Sequence, residues 1–115
     1  IYVAEDVYTT PLYIPFVADF VYNILLNKKK YFTKKSKKII NLSSNVYLSL
    51  YEFMKEYAKI LGKENKIVKV NDSYFNAASN KPKYLGLKSL KKNTNNYSIN
   101  DCIKHHLNKS LSKKI

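Results

Sequence analysis

Ser49-Leu50-Tyr51-Glu52-Phe53-Met54-Lys55-Glu56-Tyr57-Ala58-Lys59-Ile60-Leu61-Gly62 carries the clearest local signal in this 115-residue chain. A serine followed three positions later by a glutamate is a capping box. The hydroxyl and the carboxylate each engage a backbone N–H that the first helical turn leaves without a carbonyl. Leu48 and Phe53 fall at the hydrophobic-staple positions around the box. Leu50, Phe53, Met54, Tyr57, Ala58 and Leu61 then make one apolar stripe at helical spacing, and Gly62 follows as a left-handed stop. The stretch predicts a helix bounded at both ends.

Upstream, the pairs Phe16/Val17, Phe20/Val21 and Ile24/Leu25 recur every four residues, and Pro15 suits the first turn of a helix. Lys28, Lys29 and Lys30 suit that helix's negative end. Residues 1–4 read as a strand. Glu5 to Thr10 reads as a polar, Thr-rich turn at the strand's carboxyl end, closed by Pro11. The basic stretch from Lys28 to Lys38 reads as a surface connection, and Ile39-Ile40-Asn41-Leu42 as a short strand. Downstream of the capped helix, Ile67 to Val70 is extended and Asn71 to Lys81 an irregular polar loop. Pro82 to Leu87 is extended again. A last helix is expected from about Ser98, with Ile99, Cys102, Ile103, His106 and Leu107 on one face, fraying at Lys113-Lys114. There is no internal repeat.

A hydrophobic fraction of 45%, with 11 Tyr and 5 Phe, argues for a packed body rather than a disordered tail. The length allows a single domain. Cys102 is the only cysteine, which excludes an internal disulfide and points to a reducing, cytoplasmic setting. The longest apolar stretch, Leu12 to Leu26, is interrupted by Pro15, Asp19 and Asn23. It falls short of the roughly 18 to 20 residues a membrane span needs. No secretory leader is recognisable, and a start at Ile1 without an initiator Met suggests that more chain lies upstream. The net charge of +13 invites a polyanion partner. Every one of the 21 basic residues is lysine, however, so the bidentate fork that arginine offers to guanine or phosphate is missing. The lysines are read as a solvated surface, and a nucleic-acid partner is disfavoured.

The order of these elements resembles the second half of the dTDP-4-dehydrorhamnose reductase family, a group of extended short-chain dehydrogenase/reductases. Asp6-Val7-Tyr8-Thr9-Thr10-Pro11-Leu12-Tyr13 is similar to the family's Asp-Gln-x-x-x-Pro-Thr-Tyr stretch, and the similarity continues without a gap to Ala18. Asn41-Leu42-Ser43-Ser44 is similar to its His-Leu-Ser-Gly strand end, and Ser49-Leu50-Tyr51-Glu52-Phe53 to its Ser-x-Tyr-Glu-Phe helix start. Lys81-Pro82, with Leu87 after it, resembles its Arg-Pro…Leu segment. The chain departs from the pattern at Val7, Leu12, Phe16, Ser44 and Lys81, where the family carries Gln, Thr, Asp, Gly and Arg.

The resemblance implies an α/β fold, the C-terminal portion of an extended Rossmann-type, NAD(P)-binding reductase, with short strands and three main helices. Residues 1–115 would form one substrate-binding domain without the cofactor-binding half. It further implies that Asp6, Thr10, Pro11, Tyr13 and Lys81 face a nucleotide-diphosphate sugar, such as a dTDP-4-keto-6-deoxy sugar. NADPH or NADH and the catalytic groups would belong to the other half, either of the same protein or of a separate subunit. No catalytic, cofactor-binding or metal residue is assigned to this chain, and no membrane partner.

The family's cofactor loop needs several glycines, so that backbone can approach a pyrophosphate at a helix start. This chain has only Gly62 and Gly86. The family's Tyr-x-x-x-Lys spacing occurs at Tyr31/Lys35, Tyr51/Lys55 and Tyr84/Lys88. With 11 Tyr and 21 Lys in 115 residues, about two such matches arise by chance. Cys102 lies three and four positions before His105 and His106, a spacing shared by thiolate–imidazole pairs and half-sites for metals. A buried thiol beside surface histidines is the favoured reading, since two further ligands would have to come from elsewhere. Glu52 is accounted for by capping and Glu56 by exposure. Two other readings stay open: a free-standing lysine- and tyrosine-rich module for single-stranded nucleic acid, and a non-catalytic, reductase-like regulatory subunit.

Overall fold

The computed structural model describes residues 1–32, 39–76, 82–88 and 98–112. In chain order these form β1 (Tyr2–Ala4), β2 (Tyr8–Thr9), α1 (Ile14–Leu26), α2 (Lys28–Tyr31), β3 (Leu48–Ser49), α3 (Leu50–Ile60), β4 (Val68–Val70), β5 (Tyr84–Leu85) and α4 (Ile99–Ser112). Single 3-10 turns cover Glu64–Lys66 and Asp72–Phe75. The architecture is mixed α/β, with three helices of 13, 11 and 14 residues beside short strands.

Helix α3 forms as its ends dictate. The Glu52 N–H donates to Ser49 Oγ at 3.1 Å and the Ser49 N–H donates to the Glu52 carboxylate at 2.7 Å, closing the capping box. At the other end the Lys63 N–H reaches the Ala58 carbonyl at 2.8 Å and the Gly62 N–H reaches the Lys59 carbonyl at 3.0 Å. Gly62 has φ +66°, which completes a Schellman stop. The helix packs against β1 on one side and α4 on the other. Ala58, Val3, Ala4 and Ile103 are buried in this part of the molecule. Helix α4 begins where Ser98 Oγ accepts the Asp101 N–H at 3.1 Å, the serine cap the sequence offers there.

Among the described residues the strands form two separate sheets. β1 runs parallel to β4, with Tyr2 opposite Val68 and Ala4 opposite Val70. β2 lies between β3, to which it is antiparallel, and β5, to which it is parallel; Tyr8 stands opposite both Ser49 and Tyr84. Asp6 ties the two sheets together. Its carboxylate accepts the Asp72 N–H at 2.7 Å, at the turn after β4, and the Lys83 ammonium at 2.9 Å, just before β5.

Several local expectations need correction. Ile39 to Leu42 joins no ladder, and Ile39 is exposed. The strand that pairs with β2 is Leu48–Ser49, because the capped start of α3 pins the chain there and Leu50 N–H donates to the Val7 carbonyl at 2.9 Å. Tyr8–Thr9 is strand, not turn, as aromatic and β-branched residues favour once a partner edge is present. The lysines after α1 do not cap it. The helix closes at Leu26, with the Asn27 N–H on the Asn23 carbonyl, and Lys28–Tyr31 wind a separate turn.

Burial is thin. Among the described residues Val3, Ala4, Val7, Phe16, Phe20, Ala58 and Ile103 form the apolar core, and no large side chain is fully enclosed. Along α1 only Phe16 and Phe20 are buried, while Ile14, Val21, Tyr22, Leu25 and Leu26 are open to solvent. The accessible surface is 9240 Å², whereas a compact monomer of 13.4 kDa exposes about 6500 Å². The radius of gyration, 17.2 Å, likewise exceeds the roughly 13 Å of a compact chain this long.

Candidate functional site

The segment that leaves β2 decides where ligands fit. Thr10 and Pro11 carry the chain from the second sheet toward α1, and two concavities open on either side of this ridge. The first, about 230 Å³, lies between the ridge, the start of α1, α3 and α4. Pro11, Tyr13, Phe53, Tyr57, Ile103 and His106 supply most of its wall, which is largely apolar. The second, about 480 Å³, lies beside the β3–β2–β5 sheet, walled by Thr10, Asn45, Tyr47, Tyr84, Gly86 and Lys88. Ser44 borders both.

The residues expected to face a substrate are therefore divided. Pro11 and Tyr13 line the apolar cavity and Thr10 the polar one. Thr10 Oγ1 accepts the Leu87 N–H at 3.2 Å, which fixes the side chain and leaves its own hydrogen free to donate. Asp6 lines neither cavity and serves the junction between the sheets. The Lys83 ammonium, with help from the Asp72 N–H, holds its carboxyl below the ordinary value of 3.8. The same contact raises Lys83 above 10.5. Lys81 lies outside the described residues.

Tyr13 lines the apolar cavity, and its hydroxyl shares a solvent-exposed hydrogen bond of 2.7 Å with His105 Nδ1, whose direction follows the imidazole tautomer. The Tyr13 ring also meets His106 edge-on, at 6.4 Å between centroids, and Tyr57 meets His106 at 6.3 Å. Helix α4 thus presents two imidazoles to one phenol, a polar cluster at the rim of an otherwise greasy wall. Cys102 lines the same cavity, and its thiol is pushed up by desolvation and by the charge of Asp101. A thiol held protonated is a poor nucleophile, so the Cys–His spacing does not make an activated pair. Among the described residues no group of three His, Cys, Asp or Glu could hold a metal ion. Among them also, no helix is long and apolar enough to cross a membrane.

Of the Tyr-x-x-x-Lys pairs, Tyr51 and Lys55 are in contact. Lys55 Nζ lies 5.9 Å from the centroid of the Tyr51 ring, a cation over a π face rather than an ammonium on a phenol oxygen. Tyr84 and Lys88 stand exposed on and just beyond β5, and Lys35 of the third pair lies outside the described residues. Neither glycine opens a helix: Gly62 ends α3, and Gly86 follows β5.

Sequence reasoning overlooked the tyrosines of the second concavity. Tyr8 is stacked between Tyr47, at 5.5 Å and 21°, and Tyr84, at 5.9 Å and 23°. The three come from distant parts of the chain, and only the β3–β2–β5 pairing brings them together. No family model, curated protein or solved structure matches the chain.

Proposed function

We propose that this chain is the substrate-covering part of an NAD(P)H-dependent sugar-nucleotide reductase, acting on a dTDP-4-keto-6-deoxy sugar or a close analogue and completed by a separate cofactor-binding body. The observation that carries the reading is the one-sidedness of the parallel half of the molecule. Parallel strands are stable when both faces are covered and the ladder continues. Among the described residues β1 and β4 pair only with each other, and α1 leaves Val21, Leu25 and Leu26 exposed.

In this reading the ridge from Thr10 to Tyr13 is what the chain gives to the substrate. Pro11 fixes the backbone, Thr10 offers a positioned hydroxyl, and Tyr13 offers a phenol steadied by His105. These groups orient a sugar and exclude water. The nicotinamide, held by the other body, supplies the hydride for carbonyl reduction. The chain on its own is expected to take up neither NADPH nor NADH in calorimetry. The protein as it occurs in the cell is expected to oxidise NADPH only when a 4-keto sugar nucleotide is added. Tight stoichiometric cofactor uptake by the lone chain would overturn the proposal, as would a cellular form with no NADPH-dependent turnover.

A further inference from the structure

We infer that the tyrosine row on the β3–β2–β5 sheet is a contact surface for single-stranded nucleic acid, bases stacking on the exposed outer tyrosines Tyr47 and Tyr84 and phosphates drawn by Lys88 and the chain's net positive charge. The inference rests on Tyr8, Tyr47, Tyr84 and Lys88 and does not need the reductase reading, although the concavity beside the row shares Thr10 with it.

The row is built into the fold. Tyr8 is fixed in the central strand, and its neighbours lie within 21° and 23° of parallel to it. Tyr47 rests against bare backbone at Gly86. A β-carbon there would come within 2.5 Å of Tyr47 Cε2 and 2.7 Å of Cδ2, so only glycine admits the ring. The outer tyrosines are nevertheless open, Tyr47 to 51% and Tyr84 to 73%. Large aromatic faces left in water beside a polar concavity are poor core and good stacking surface.

Charge chooses the kind of ligand. None of the chain's carboxylates lines the concavity, whereas Lys88 does. Asp6, the acid tied to the start of β5, is already neutralised by Lys83. Around this lies a chain with 21 lysines against 8 acids. A ring-plus-phosphate ligand satisfies both the aromatic and the cationic elements. The open setting argues for a polymer over a free nucleotide. Small-ligand sites enclose most of their ligand, whereas strand-binding surfaces spread modest contacts over several nucleotides within a positive field. A duplex hides its base faces, and with no arginine the chain lacks the usual guanine fork. Stacking is indifferent to base identity, so the contact is sequence-tolerant.

The test titrates the full chain with a short thymidine oligonucleotide, with a duplex of equal nucleotide count and with thymidine diphosphate. The readout is tyrosine emission, which no Trp obscures. Charge alone favours the duplex, whose phosphates release more counterions per contact (about 0.9 against 0.7). The expected result is therefore diagnostic. The single strand binds more tightly than the duplex and quenches tyrosine emission, and thymidine diphosphate binds far more weakly. Tyr84→Leu, at an exposed edge position, weakens strand binding about tenfold and leaves the salt slope unchanged. Lys88→Gln lowers that slope by about 0.7. Gly86→Ala, which displaces the Tyr47 ring, weakens binding with no change in net charge. Circular dichroism on each variant confirms the fold. Equal or tighter binding of the duplex, wild-type affinity in Tyr84→Leu, or thymidine diphosphate binding as tightly as the oligonucleotide would each overturn the inference.

Discussion

Helices α1 and α3 have similar lengths, 13 and 11 residues, and opposite circumstances. Helix α3 is amphipathic, closed by a capping box and a Schellman stop, and packed between β1 and α4. Helix α1 has no side-chain cap and is apolar nearly all round, yet it buries only Phe16 and Phe20. A helix apolar on every side is made for burial on every side. The contrast separates two properties that usually travel together. The part of the chain around α3 is finished, whereas α1 and the β1–β4 pair carry a surface that nothing among the described residues covers.

Substitutions sharpen this contrast, and the largest effect falls within α1 itself. Phe20→Ala removes a buried ring and is expected to cost about 3 kcal/mol in urea unfolding. Ser49→Ala takes away the cap hydroxyl of α3 and leaves the Glu52 N–H without its acceptor. An expected loss of about 1 to 2 kcal/mol follows, with reduced helicity by circular dichroism. Gly62→Ala forces a side chain into a left-handed position with open space around it. Its cost, about 1 kcal/mol, is purely conformational. Leu25→Ala, one turn beyond Phe20 on the exposed side, is expected to shift stability of the lone chain by less than about 0.5 kcal/mol. An effect as large as that of Phe20→Ala would erase the distinction between the two faces.

The smallest effect is a pH dependence at the junction of the sheets. Because Lys83 and the Asp72 N–H hold the Asp6 carboxyl below 3.8, its contribution is present above that value. It is lost as pH falls through the lowered pKa. Lys83, raised above 10.5, contributes fully below 10.5 and loses its share as pH rises through the raised value. The pair is solvent-exposed, so the amplitude is small. Asp6→Asn is expected to lower the urea midpoint slightly at neutral pH, where the contribution is present, and thereby to flatten the acid limb of its pH dependence.

What could be read in advance divides along physical lines. Helix α3 was legible because a cap, a stripe and a glycine stop are all local. The start of α4 at Ser98 was legible for the same reason. The two-residue strands β2 and β3 were not, since so short a strand exists only through its partner. Their partners were set by the capped end of α3 and by Val7. The ridge Thr10-Pro11-Tyr13 was found through its resemblance to a reductase segment, and the structure places it between two concavities. The role of Asp6 as a tie between sheets was hidden because its partners lie 66 and 77 residues away. The Tyr13–His105 bond spans 92 positions. The stacked row was hidden more deeply still: among 11 tyrosines, nothing in the linear pattern marks Tyr8, Tyr47 and Tyr84 as neighbours.

Side-chain footprinting of α1 by a small carbene probe, on the purified chain and on the protein inside cells, tests the uncovered face most directly. Strong labelling of Val21, Leu25 and Leu26 is expected in the purified chain, with Phe20 protected, and those three positions should fall silent in the cellular form. Equal labelling in both settings, or protection already in the purified chain, would contradict the account.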